Sequence, residues 1–356
     1  MCGIAGWLGT APELPVAVAD RVHQLLRHRG PDSKGFEHGD GWGLMFRRLA
    51  IIDLSDHGAQ PMASPCGRYQ LVFNGEIYNY LELRAELERH GERFIGHSDS
   101  EVLLRLLMLE GAAALPKLNG MFALAFVDTE ARRYLLARDR LGQKPLYLRR
   151  GPDGLRFASE LKALLSWPDA ERNLDPEAVV EYLGLSYLPS EQCILEGYEK
   201  LPPAHYLEGS LDRPASGRAA RYWSIDINGE IGASEITDDD LDRLLDLLID
   251  ATRLRLRSDV PVGIFLSGGI DSGLIAALAA KQGSTDRLLA LTVGFEEDRF
   301  DETELARSVA DQTGLAHRVV PMEPASLDSL DDLAWYFDEP FADPSALPTL
   351  ALCRAA

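Results

Sequence analysis

The chain has 356 residues, enough for two or three domains that each bury a core. Its 36 Lys and Arg stand against 56 Asp and Glu, a formal net charge of −20; such a field repels phosphate backbones and anionic lipid, which excludes nucleic acid and membrane surfaces as partners. Any anionic ligand must then be held by local cations or backbone amides.

No apolar run approaches the roughly 18 residues of a membrane span, and no basic stretch at the N-terminus leads into a hydrophobic segment. Cys2, Cys66, Cys193 and Cys353 lie far apart without a C-x-x-C pair. A cytoplasmic protein with reduced thiols is expected, with neither a zinc site nor a disulfide framework.

The chain opens on Met1-Cys2-Gly3. Excision of Met1 would leave a thiol and an α-amine on one residue. With the amine titrating near about 7.8 and the thiol near about 8.5, the first can take the proton of the second without another base. Cys2 also reads as a small buried apolar residue. Arg47 and Arg48, in FRRLAIIDLS, are predicted to lead into a strand whose apolar residues point inward, with at least one guanidinium left accessible. Such a planar fork suits the α-carboxylate of an amino-acid substrate.

Tyr69 to Phe73 is predicted as a strand that ends at Asn74 and Gly75. That pair reads either as a plain tight turn or as a turn exposing the Gly75 N–H beside the Asn74 carboxamide, two donors for an oxyanion. A helix is predicted from Tyr80 to His90, with Leu83 and Leu87 on one face and Gly91 as its stop, and a second from Glu101 to Leu109. Asp99 reads as the N-cap of the second helix. Together with Glu76 it also offers carboxylates to an α-ammonium. Phe122 to Val127 is a further strand.

Glu208 to Ala220, EGSLDRPASGRAA, has no hydrophobic period and reads as a linker. Leu241, Leu244, Leu245 and Leu248 then mark an amphipathic helix that ends at Ser258 and Asp259, before Pro261. Val262 to Leu266 reads as a strand buried on both faces of a parallel sheet, Ser267 to Ile270 as a glycine-rich turn and Asp271 to Lys281 as a helix. Leu288 to Val293 and Glu302 to Gln312 repeat the strand and helix, so a parallel α/β sheet is expected.

The order MCGIAG, HRGPDS, RRLAIIDLS, NGEIYNY, HSDSE, LNGMFA, ARDRLGQKPLY and FASELKALL resembles the class II glutamine amidotransferases, and most of all the glutamine-hydrolysing asparagine synthetases. The resemblance implies an α+β N-terminal-nucleophile fold, an αββα sandwich, over 2–207, with Cys2 as nucleophile and Asn74 and Gly75 as the oxyanion hole. Arg48 would hold the glutamine α-carboxylate, with Arg29 the next candidate cation; Glu76 and Asp99 would hold the α-ammonium. Phe46 stands where the family often has His.

SGGIDSG, Ser267 to Gly273, lacks the ending of a Walker A loop and resembles the pyrophosphate loop of N-type ATP pyrophosphatases. By that likeness a linker over 208–235 leads to a partial α/β parallel-sheet, Rossmann-like domain over 236–356. ATP would lie on Leu266, Ser267, Gly268, Gly269, Asp271 and Ser272, with Val293 and Gly294 at the adenine and Asp271 helping to hold Mg²⁺. Asp338 to Thr349, DEPFADPSALPT, matches the family near its acyl-acceptor site, and Gly273 replaces a usual serine. A second phosphate loop of type SGDGxDE, expected in this family, does not occur before Ala356, so the ATP domain is expected to be incomplete.

The implied activity is glutamine hydrolysis at Cys2 feeding ammonia to aspartate activated by ATP as β-aspartyl-AMP. The substrates would be glutamine, aspartate and ATP, and a homodimer stays open. Two other readings remain: a truncated copy that is a glutaminase only or a non-catalytic partner subunit, and an amidotransferase acting on another carboxylate.

Overall fold

The computed structural model describes the chain except for residues 13–14, 190, 227–235, 284–286 and 324–326. It forms two compact units: Met1–Asp226 together with Asp338–Phe341, and Ile227–Phe337 together with Ala342–Ala356.

In the first unit the strands are β1 Gly3–Gly9, β2 Ser33–Gly39, β3 Trp42–Arg48, β4 Met62–Ala63, β5 Tyr69–Ile77, β6 Gly120–Asp128, β7 Arg133–Arg138, β8 Tyr147–Gly151, β9 Gly154–Ala158, β10 Tyr198–Lys200, β11 His205–Ser210 and β12 Arg218–Arg221. The helices are α1 Pro15–Leu25, α2 Tyr80–Arg89, α3 Asp99–Glu110, α4 Leu161–Leu164 and α5 Pro176–Leu185. Among the described residues the strands make two six-stranded sheets, ordered β10-β8-β9-β1-β3-β2 and β12-β11-β7-β6-β5-β4.

The period of two in the strands sorts the side chains into layers. Ile4, Leu8, Leu44 and Phe46 of the first sheet meet Val72, Ala123, Ala125, Val127 and Leu136 of the second. Their neighbours point outward: Ala5, Trp7 and Met45 pack under α1, α4 and α5, and Leu71, Phe73, Phe122 and Leu124 pack under α2 and α3. Helix, sheet, sheet, helix is the expected αββα sandwich. Cys2 shares the parity of Ile4 and so sits at the mouth of the inter-sheet core.

The stretch read as a linker is ordered up to Arg221, because β11 pairs with β7 and β12 with β11. Its small residues serve packing, not flexibility. The Tyr134 hydroxyl donates to the Pro214 carbonyl at 2.6 Å, and a Cβ on Gly217 would stand 2.0 Å from that hydroxyl oxygen. Residues 227–235 of that proposed linker lie outside the described residues.

The second unit contains α6 Asp238–Arg255, β13 Val262–Phe265, α7 Ile270–Gln282, β14 Leu288–Gly294, α8 Thr303–Thr313, β15 Ala316–Pro321, α9 Leu327–Phe337 and α10 Ala346–Ala355. A reciprocal Thr237–Asp240 capping box starts α6, whose three leading aspartates and trailing Arg253 and Arg255 suit the helix dipole. Its Leu241, Leu244 and Leu245 stay 42–53% exposed. The three strands are parallel in the order β13-β14-β15. β14 is the buried centre, whereas β13 is an edge strand with Phe265 45% exposed, which corrects the expectation that it is covered on both faces.

Candidate active site

Cys2, Arg48, Asn74, Gly75, Glu76 and Asp99, far apart in sequence, line one cavity of about 140 Å³ in the first unit. Cys2 precedes β1, which is zipped to β3 from Gly3 opposite Arg47. The chain leaving β3 therefore brings Leu49 beside the thiol, and the Leu49 N–H donates to Sγ at 3.4 Å. Burial pushes the thiol above its usual range, against the Leu49 N–H and the nearby amino terminus. Burial also lowers the amino group of Met1, to about 6, with Arg29 and Lys144 pushing the same way.

Asn74 and Gly75 are not a turn. β5 runs through them to Ile77, with Asn74 opposite Ala123, Gly75 opposite Phe122 and Glu76 opposite Met121. Glycine is required there by close approach: a Cβ on Gly75 would stand 2.0 Å from the Met121 carbonyl oxygen. The edge of β5 beyond β4 supplies the donors. The Phe73 N–H is taken by Gln60 Oε1 at 2.6 Å and the Ile77 N–H by Asp99 Oδ2 at 3.0 Å. Strand alternation puts the Gly75 N–H between them on the same edge. The Asn74 side chain is 1% exposed, and neither its Nδ2 nor its Oδ1 has a hydrogen-bond partner. A buried carboxamide left unpartnered beside a cavity has its hydrogen-bonding capacity free.

Arg47 and Arg48 end a strand rather than lead into one, and both are buried, at 8% and 7% exposure. Arg48 is aimed by the loop after β3: Nη1 donates to the Ser55 carbonyl at 2.8 Å and Nη2 to that of Asp53. Ser98, not Asp99, caps α3, accepting the Glu101 N–H at 3.2 Å. Asp99 is the first helical residue and is turned toward β5. Burial raises its carboxyl to about 6. It raises Glu76 to about 7, with Asp99 adding like-charge repulsion and Lys144 opposing. Both carboxyls thus stand above their ordinary range, where a nearby cation would favour their charged form.

Behind Cys2, the Arg29 Nε donates to the Cys2 carbonyl at 2.9 Å and Nη1 to Glu160 Oε1 at 2.8 Å. Glu160 also meets His28 at 2.9 Å and Lys162 at 2.6 Å, and Lys162 meets Asp338 at 2.9 Å. Glu339 accepts from the Tyr147 hydroxyl and from Lys200, both at 2.7 Å.

In the second unit, Ser267–Gly269 joins β13 to α7 at the carboxyl end of the parallel strands, where Val293 and Gly294 close β14. Open α/β sheets bind ligands at that end. Ser267 and Ser272 are linked hydroxyl to hydroxyl at 2.8 Å. The Gly268 N–H donates to Glu302 Oε2 at 2.9 Å, so a carboxylate rests on a loop amide. Asp271 lies in the first turn of α7. Among the described residues no group of three or more His, Cys, Asp or Glu is arranged to hold a metal ion.

A glutamine amidotransferase domain family matches residues 1–223 and an asparagine synthase family matches residues 243–356. A putative glutamine-hydrolyzing asparagine synthetase 2 of Methanocaldococcus jannaschii is 32% identical over 378 residues that cover all of this chain and 72% of that protein. The chain belongs to the glutamine-hydrolysing asparagine synthetase family. A putative member from Mycobacterium tuberculosis H37Rv is 37% identical over all of the chain and 57% of its own length. Asparagine synthetase 1 of Bacillus subtilis is 34% identical, with 56% of its length covered. The chain thus spans little more than half of these two family members.

Against the family pattern, Phe46 is accommodated without disturbance: it is 1% exposed within β3 and points into the inter-sheet core. Residues that sequence reasoning did not single out are Glu160, Lys144 and Gln60 in the first unit and Glu302 in the second. FASELKALL and QKPLY carried two of them, yet nothing in those strings tells which partner each side chain meets.

Proposed function

We propose that this chain carries the machinery of glutamine-dependent asparagine synthesis: Cys2 releases ammonia from glutamine, and the second unit takes part in activating aspartate with ATP. The observation that carries the reading is the buried, unpartnered Asn74 carboxamide facing the cavity of Cys2. Once Met1 is removed, the Cys2 amine takes the thiol proton and sulfur attacks the glutamine amide carbon. The carbonyl π electrons move to oxygen, where the Asn74 Nδ2 and the Gly75 N–H receive them. The amine returns its proton to the amide nitrogen, the C–N bond breaks and ammonia leaves. Water then hydrolyses the thioester to glutamate. Arg48 would hold the substrate α-carboxylate, and Glu76 with Asp99 its α-ammonium.

A carboxylate is a poor electrophile. Attack of the aspartate β-carboxylate on the α-phosphorus of ATP, with pyrophosphate as leaving group, makes a mixed anhydride that ammonia can open, releasing AMP. The start of α7 suits the phosphates, and the Gly268 N–H would join it once a phosphate displaces Glu302 Oε2. Asp271 would help hold a Mg²⁺ brought with the phosphates, an ion that commonly takes one or two carboxylates and the rest from substrate and water. Free thiols at all four cysteines accord with a cytoplasmic setting.

The test is to measure glutamate release and aspartate-dependent pyrophosphate release separately. Both are expected. Glutamate alone would restrict the chain to the first half-reaction, and pyrophosphate driven by another carboxylate would change the acceptor.

A further inference from the structure

Lys144 follows the loop after β7, and its backbone is fixed: its N–H donates to Asp139 Oδ2 at 2.9 Å and its carbonyl accepts from Arg138 Nε at 2.9 Å. The residue is 4% exposed and lines the cavity of Cys2. Among the described residues, its ammonium makes no ion pair. Its contact is the Met1 thioether sulfur at 2.9 Å, a weak acceptor for a buried cation with three donors. That acceptor belongs to the residue whose removal the proposed chemistry requires. After excision, the α-amine of Cys2 is created in the same cavity that Lys144 lines.

We propose that Lys144 sets a cation against the mature α-amine of Cys2, keeps that amine neutral at physiological pH, and so fixes the pH above which the nucleophile works. This rests on the reading of Cys2 as an N-terminal nucleophile. Like charges oppose each other's formation, so the amine beside Lys144 stays a free base. For the same reason its ammonium, formed when it takes the thiol proton, is a stronger acid toward the departing amide nitrogen. The groups facing this point are Arg29 and Cys2 from the flanks of α1 and β1, Glu76 from β5 and Asp139 after β7. Arg29 acts in the same sense as Lys144, and the two carboxyls act against it. The amino group of Met1 already shows the direction, being held below its ordinary range by burial and by both cations.

Lys144 would act through the amine rather than on the substrate, so the readout is a pH profile. Glutaminase kcat/KM is measured from pH 5.5 to 9 on protein whose loss of Met1 is verified by mass spectrometry. In Lys144→Met the acidic limb is expected to move alkaline by about one pH unit, about a tenfold loss at pH 6 that disappears by pH 9. Lys144→Arg should restore the limb. If Lys144→Met does not fold, Lys144→Gln takes its place. A limb that stays where it is, with activity scaled equally at every pH, overturns the proposal, as does an arginine variant displaced as far as the methionine one. Labelling of Cys2 in the wild type by an electrophilic glutamine analogue is run alongside. Absence of labelling would overturn the glutaminase reading itself, whereas labelling with an unmoved limb overturns only the role of Lys144.

Discussion

Arg29 and Glu160 form a buried ion pair 2.8 Å long whose other end grips the backbone of the nucleophile, because the same guanidinium donates to the Cys2 carbonyl. Both residues are nearly closed to water, at 8% and 5% exposure. Burial alone would raise the Glu160 carboxyl, but His28, Arg29 and Lys162 outweigh it and bring it down to about 2.

Glu160→Gln should therefore cost stability and catalysis together. Leaving Arg29 buried without its counter-charge destabilises by about 3–5 kcal/mol, measured by urea melts, and glutamate release should fall more than tenfold as Cys2 loses its fixed carbonyl. The depressed carboxyl contributes stability above its ordinary titration range, and that contribution is lost as pH falls through about 2. The gap between wild type and variant should thus shrink from pH 5 toward pH 2.

Cys2→Ala should abolish glutamate release while leaving ammonia-dependent pyrophosphate release intact. Both rates are read on one preparation; simultaneous loss would argue against separate sites.

Arg48→Ala should raise KM for glutamine by about 10- to 150-fold, the equivalent of about 1.5–3 kcal/mol for a charge-assisted contact. An unchanged KM would move the carboxylate to another cation. Because Arg48 also holds the Ser55 and Asp53 carbonyls, Arg48→Lys should recover only part of the loss.

Glu76→Gln should bind glutamine more weakly yet melt higher at pH 8. Glu76 is raised to about 7 by burial, so its favourable share is present below about 4.5 and is lost as pH rises through about 7. At pH 8 the ligand-free protein carries that burden, on the order of 3 kcal/mol, and the amide removes it. Thermal melts at pH 5 and pH 8, with and without glutamine, would show it: glutamine should stabilise the wild type more at pH 8 than at pH 5.

Much of this was legible before any coordinates. The strands around Tyr69 and Phe122, the helix carrying Leu83 and Leu87 and the parallel order of the second unit all follow from local period and punctuation. Two local signals misled. Asn74-Gly75 reads as a turn because those residues tolerate turn geometry, but pairing with β6 governs, and the glycine serves the approach of the Met121 carbonyl. The Gly, Ser and Pro around 208–220 read as a flexible tether, while Tyr134 needs their small size. Helix α6 shows a different limit: a stripe of leucines settles that a helix forms, not what covers it. The Arg29–Glu160–Lys162–Asp338 chain could not be read at all, since its members stand 131 and 176 positions apart and only folding assigns them to each other.

The grouping of Asp338–Phe341 with the first unit has a consequence for biosynthesis. A nascent chain that has already threaded β1 to β12 still lacks the second carboxylate that meets Lys162 and the one that pairs with Lys200. At about 5–20 residues per second, the ribosome delivers Glu339 on the order of ten seconds after Lys200. The first unit is therefore finished only after residues 227–337 of the second have been translated.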